Sequence, residues 1–229
     1  MGSVTQSLFK FFRRRSSGES SQVRELAIRS RRHSTAFKEF MRSLGNKEEL
    51  SFLDLGATSA ANISLLTGRG HKLRTEDLLG SSFESEFYVT GDDGAKTLDV
   101  DRFLKENLQF HGQKFDAVFF WDIADYLPEP LVKPVIEKIF TSMVPGGMLL
   151  AFFHTKDAGP DAPYSRYHIV GEDALDLQPL MVKNGSGGAS MVKLQRVFNN
   201  RHIENLFRDY ASLKFFLARD NMREVLVVR

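Results

Sequence analysis

The 229-residue chain predicts an α/β protein: a doubly wound, mostly parallel seven-stranded sheet with helices on both faces and a C-terminal antiparallel hairpin. Three observations lead there. Ser51–Asp77 passes from a short apolar run through a glycine turn to a second apolar run and another short strand-like segment, the order strand, turn, helix, strand. Phe115–Asp122 and Met148–Phe153 are near-continuous apolar runs, as parallel strands buried on both faces require, and a helical pattern separates them. Leu213–Arg219 and Met222–Val228 are joined by Asp220-Asn221, the tight turn of a hairpin.

Composition narrows the function classes. The chain has no cysteine, which excludes disulfides and thiolate metal sites, and its six histidines are scattered without ligand spacing, so no metal is expected. No apolar run reaches the roughly 20 residues that span a bilayer, and no signal peptide is evident, so a cytoplasmic protein is expected. The net charge of +2 hides an asymmetry: residues 1–45 carry ten Lys/Arg against three acids, leaving the remainder acidic. An acidic main body favours a small-molecule partner over nucleic acid.

In chain order, Met1–Arg15 sets Leu8, Phe9, Phe11 and Phe12 before three arginines, a pattern suited to weak contact with an anionic membrane surface or to a docked terminal segment. It is not a myristoylation site, because position 6 is Gln. Ser16–Gln22 is a polar linker, so residues 1–22 form an extension and 23–229 the domain. From Val23 to Leu44 apolar residues recur at helical spacing up to Gly45, a C-cap; one or two covering helices are expected over 23–45. Residues 78–94 are irregular, anchored by Phe83, Phe87 and Tyr88. The third strand is expected near Thr97–Asp101, before a short helix that Asp99 or Asp101 caps. A helix beginning near Pro130 stops at Pro145-Gly146-Gly147. Residues 154–190 break the pattern and form a long insert, a possible lid, with Tyr164, Arg166, Tyr167 and His168 as its notable polar groups. A helix follows over Asn200–Tyr210.

The first glycine turn leaves the carboxyl end of a parallel strand, where such sheets bind ligands and a helix N-terminus presents free N–H groups. Glu76 and Asp77 lie 22 and 23 residues after Asp54, the distance at which a carboxylate can accept both hydroxyls of a ribose; either can instead cap the following turn. Asp99 could accept from an adenine amino group or cap its helix. Trp121 and Asp122 end a strand at the same edge as Gly56.

Together these features resemble the class I S-adenosylmethionine-dependent methyltransferases over about residues 50–229. Leu53-Asp54-Leu55-Gly56 is similar to the family's first cofactor motif, Glu76/Asp77 to its ribose acid, Phe115–Asp122 to its fourth strand, Pro145-Gly146-Gly147 to the turn before the fifth, and the terminal hairpin to the sixth and seventh. The resemblance implies S-adenosyl-L-methionine as cofactor, held by Asp54, Gly56, Ala57, Thr58, Ser59, Glu76, Asp77, Asp99, Trp121 and Asp122. It implies direct methyl transfer to an unidentified, small-molecule acceptor, in which alignment supplies much of the catalysis. Asp122 is a candidate base or pocket wall, and Asp125 and Tyr126 are further pocket candidates. The chain departs from the family where Thr58 and Ala60 replace the later glycines of the motif. Glycine there lets the backbone approach the cofactor; Thr58 or Ser59 could instead donate a hydroxyl to its carboxylate.

Two other classes compete. The altered loop fits a non-catalytic domain of the same fold that binds a nucleotide-like ligand or a partner protein. A nicotinamide-dependent dehydrogenase needs G-x-G-x-x-G, and here Thr58 and Ala61 occupy its second and third glycine positions.

Overall fold

The computed structural model describes residues 23–25, 30–45, 47–159, 162–183, 189–218 and 220–229. The basic segment with Leu8 to Phe12, and the surface contact expected of it, lie outside the described residues. Strands β1 (Val23–Glu25) and β2 (Ser30–His33) precede helix α1 (Thr35–Leu44). Then come β3 (Ser51–Asp54), α2 (Ala60–Gly68), β4 (Lys72–Thr75), α3 (Leu78–Ser82), β5 (Tyr88–Thr90), β6 (Lys96–Leu98) and α4 (Val100–Asn107). β7 (Phe115–Trp121), α5 (Ile123–Tyr126), α6 (Glu129–Ser142) and β8 (Met143–His154) form the centre. The chain closes with β9 (Ser165–Ile169), β10 (Ala174–Lys183), β11 (Ala189–Met191), α7 (Asn200–Leu206), β12 (Ser212–Leu217) and β13 (Met222–Val228).

The main sheet runs β4-β3-β7-β8-β13-β12. The first four strands are parallel, and β13 is antiparallel to both β8 and β12, so the terminal hairpin forms with its second strand inward. Alternation along the central strands divides the core. Val118, Phe120, Leu149, Ala151 and Phe153 face one layer with Phe103 of α4, Val135 of α6 and Ile203 of α7. Ala117, Phe119, Leu150 and Phe152 face the other, with Phe37 and Phe40 of α1 and Leu66 of α2. Because β7 and β8 are buried on both faces, they have the unbroken apolar runs visible in the sequence.

Pro145-Gly146-Gly147, expected to stop the helix, lies instead inside β8, since α6 already ends at Ser142. Phe115 pairs with Met143 and Ala117 with Met148, so the intervening residues bulge out of the ladder. Gly146 takes φ 77°, and a Cβ on Gly147 would lie 2.9 Å from the Val144 carbonyl, so neither position suits a side chain. The bulge is tied to the chain end: Gly146 N–H donates to Arg229 O and Arg229 N–H to Gly147 O.

Three expectations are corrected. The sheet has six strands among the described residues, because β5 and β6 pair only with each other. Both are largely exposed, so this ribbon lacks the apolar faces a strand of the main sheet would need. Among the described residues from Val23 onward, 23–25 and 30–33 are strands and helix begins at Thr35. Ser34 caps α1 and Gly45, at φ 65°, ends it, but β1 and β2 pair with β10, 141 to 159 residues onward. Third, the insert, expected to break the strand-and-helix pattern, carries strands of its own. β10 carries β2 and β9 along its first half and β1 and β11 along its second, making a separate five-stranded antiparallel sheet. Arg32 binds this sheet to the main one: it donates to Asp220 at 2.8 Å and to Glu224 at 2.7 Å, and its guanidinium lies 4.6 Å from the centre of the Phe152 ring.

Candidate functional site

The carboxyl ends of β3, β4 and β7 meet at one edge. Asp54, 1% exposed, ends β3, and its Oδ1 accepts from the Gly56 N–H at 3.1 Å and from the Trp121 indole N–H at 2.7 Å. Burial pushes the Asp54 carboxyl up to about 6, against the opposing pull of these hydrogen bonds. Trp121 sits at φ 46°, a left-handed conformation rare for a bulky side chain. That conformation is held by the bond to Asp54 and by stacking between Phe119 at 4.8 Å and Tyr167 at 4.7 Å. A Cβ on Gly56 would lie 2.5 Å from Trp121 Cδ1. Glycine at this place therefore admits the chain's own indole.

The rest of the loop is answered by β9 and the residue before it. The Ala57 N–H donates to the Tyr164 hydroxyl at 3.2 Å. Ser59 caps α2 through the Asn62 N–H, and its hydroxyl lies 2.9 Å from His168 Nδ1. With His168 Nε2 3.0 Å from Gln178 Oε1, the network assigns the proton to Nε2 and makes Nδ1 the acceptor from Ser59. The Asn62 amide bridges the strand's backbone, donating to Tyr167 O and accepting from the Ile169 N–H. Thr58 and Ala60, at the altered glycine positions, are exposed.

The acids separate by role. Glu76 N–H donates to Asp54 O, which holds it at the edge, while its carboxylate accepts from Arg74 at 2.8 and 2.9 Å. Asp77 caps α3 through the Gly80 N–H, and Asp99 caps α4 through the Arg102 N–H. Asp122, 1% exposed, caps nothing with its side chain, and its Oδ1 has no hydrogen-bond partner among the described residues. Burial pushes its carboxyl up to about 7; the charge of His154 opposes this and that of Asp125 adds to it.

One group is invisible in the sequence. His154, at the end of β8, donates its backbone N–H to Asp125 Oδ2 at 2.6 Å and sets its ring Nδ1 2.9 Å from the same oxygen. Burial alone would lower the imidazole, but the hydrogen bond to Asp125 and the charges of Asp122 and Asp125 outweigh it, and the net shift is upward. The ring stands edge-on to Tyr126, whose hydroxyl donates to Ala162 O. Asp125 and His154 are 29 residues apart, and only the parallel pairing of β7 with β8 brings them together. Asp54, Gly56 and Trp121 thus form one group and Asp122, Asp125 and His154 another, while Asp77 and Asp99 serve helix ends.

No family model matches the chain, and no curated protein matches it. Similar solved structures include the PH0226 protein of Pyrococcus horikoshii (13% identity, TM-score 0.48, covering 84% of this chain and 88% of that one). Another is the Burkholderia thailandensis 1,6-didemethyltoxoflavin-N1-methyltransferase with bound S-adenosylhomocysteine (12%, 0.45, 85% and 76%). A third is the S-adenosylmethionine-bound amino pentose methyltransferase CalS10 of Micromonospora echinaspora (14%, 0.41, 100% and 98%). With TM-scores below 0.5 and identities of 12–14%, these likenesses carry neither activity nor residue roles to this chain.

Proposed function

We propose that the chain is a class I S-adenosylmethionine-dependent methyltransferase that acts by direct transfer on a small-molecule acceptor. The observation that carries this reading is the sheet order, with an antiparallel β13 inserted between β8 and β12 and the Gly56 loop, Glu76 and Asp122 gathered at one carboxyl edge. The warrant is one of architecture, since a fold by itself does not fix a reaction.

The residues fit the cofactor with one rearrangement. The Ala57 N–H, now answered by Tyr164, would hold its carboxylate. Glu76, which Arg74 holds at the edge, would accept the ribose hydroxyls, while Asp77 is already committed to α3. The bound cofactor supplies an electrophilic methyl on a sulfonium. This chain's contribution is to align the acceptor beside it and, if the nucleophile carries a proton, to take that proton on Asp122 or on His154 held by Asp125. Cofactor entry requires Tyr164 to leave Ala57.

A non-catalytic domain is the second reading, and a specific observation favours it: Tyr164 on Ala57 and Trp121 over Gly56 already fill the loop. Calorimetric titration with S-adenosylmethionine, S-adenosylhomocysteine, NAD and NADP separates the two. The methyltransferase reading expects the first pair to bind and the nicotinamides not to, with Tyr164→Phe binding at least as tightly as the wild type. Absence of binding in both proteins would favour the non-catalytic domain.

A further inference from the structure

A concavity lies away from this edge. A cavity of about 670 Å³ opens at the amino end of the sheet, between the last turn of α1, the start of β3, the connection from α2 to β4 and the turn after β9. Its volume falls in the range of about 300–1,000 Å³ typical of small-ligand sites. Phe37 and Phe52, both fully buried, and Leu44 and Met41 give it an apolar floor. His71 lies over Phe52 with ring centroids 5.2 Å apart, and its Nδ1 is buried without a hydrogen-bond partner among the described residues.

The rim is unevenly charged. Lys38, Arg42, Lys47 and Arg69 are exposed around it against only Glu48 and Glu172. None of the six makes a side-chain hydrogen bond or ion pair among the described residues. We infer that this cavity binds an amphiphilic organic anion, with its apolar body on Met41 and Leu44, in front of the buried Phe37 and Phe52, and its anionic head between Arg42 and Arg69. A wholly polar anion would leave the apolar wall of Met41 and Leu44 uncovered, and an uncharged hydrocarbon would gain nothing from the basic rim. Ile169 and Gly171 also line the cavity, so its occupant touches the far end of the strand that fills the glycine loop. The proposal does not rest on methyl transfer.

The test is calorimetry on the full chain with decanoate, decanol, decyltrimethylammonium and inorganic phosphate. Decanoate should bind one to one, at least tenfold tighter than each of the others, and Arg42→Glu with Arg69→Glu should weaken it tenfold or more while the far-ultraviolet spectrum is unchanged. Both arginines are exposed, and the single Arg69→Ser keeps the test open if the double variant fails to fold; it should weaken decanoate severalfold. Equal binding of decanol, absence of saturable decanoate binding, or variants with wild-type affinity would overturn the proposal.

Discussion

At the scale of single residues, Gly56 and Asp122 carry opposite kinds of constraint. Gly56 is fixed by sterics: a methyl group at 2.5 Å from Trp121 Cδ1 must displace the indole or bend the loop, because the ring is held on both sides by Phe119 and Tyr167. Gly56→Ala should therefore cost about 1–3 kcal/mol, as overpacking does. Equilibrium denaturation checks this, and a change below 0.5 kcal/mol, on the order of ordinary surface substitutions, would show that the indole moves freely. Asp122 is constrained by charge. A buried carboxyl pushed up to about 7 binds its proton more tightly folded than unfolded, so its stability is whole below about pH 4 and is lost as pH rises towards 7. Asp122→Asn should leave stability at pH 4 nearly unchanged and raise it at pH 8 by about 2–4 kcal/mol. Chemical denaturation at the two pH values measures both, and an equal effect at each would contradict the assignment.

Elements show where sequence reading succeeds and where it stops. β7 and β8 were legible because burial on both faces leaves few polar positions to interrupt the run, and the C-terminal end of α1 was marked by Gly45 at a positive φ. β1 and β2 were not legible as strands: Arg31-Arg32-His33 has no apolar alternation, and its pairing comes from β10 across the chain. The candidate site was legible as an edge but not as an arrangement. Spacing singled out Asp77 and Asp99 equally well as ligand acids or caps, and the structure makes both caps. No local pattern could reveal that Tyr164 reaches Ala57 or that His154 meets Asp125, since neither pair is close in sequence. β2 also makes a testable contact. Arg32 is 7% exposed and answers Glu224, 1% exposed, so Arg32→Ala leaves a buried carboxylate with only the Ala36 N–H. The expected loss is about 3–5 kcal/mol by denaturant unfolding, the range for breaking a buried pair. A loss under 1 kcal/mol would mean that the two sheets are not held through this residue.

The described residues join a six-stranded α/β sheet to a five-stranded antiparallel sheet whose β9 lies across the carboxyl edge of the first. No helix among the described residues is long and apolar enough to cross a membrane. Under the proposed function this edge is a cofactor site closed by the chain itself, so that binding and opening are one event. Hydrogen–deuterium exchange of the full chain with and without S-adenosylhomocysteine tests both halves together. The ligand should slow exchange in residues 55–60 and speed it in residues 164–169, as Tyr164 gives up Ala57 and the strand after it loosens. Unchanged exchange at 55–60 under saturating ligand, or slowing in both segments, would contradict it.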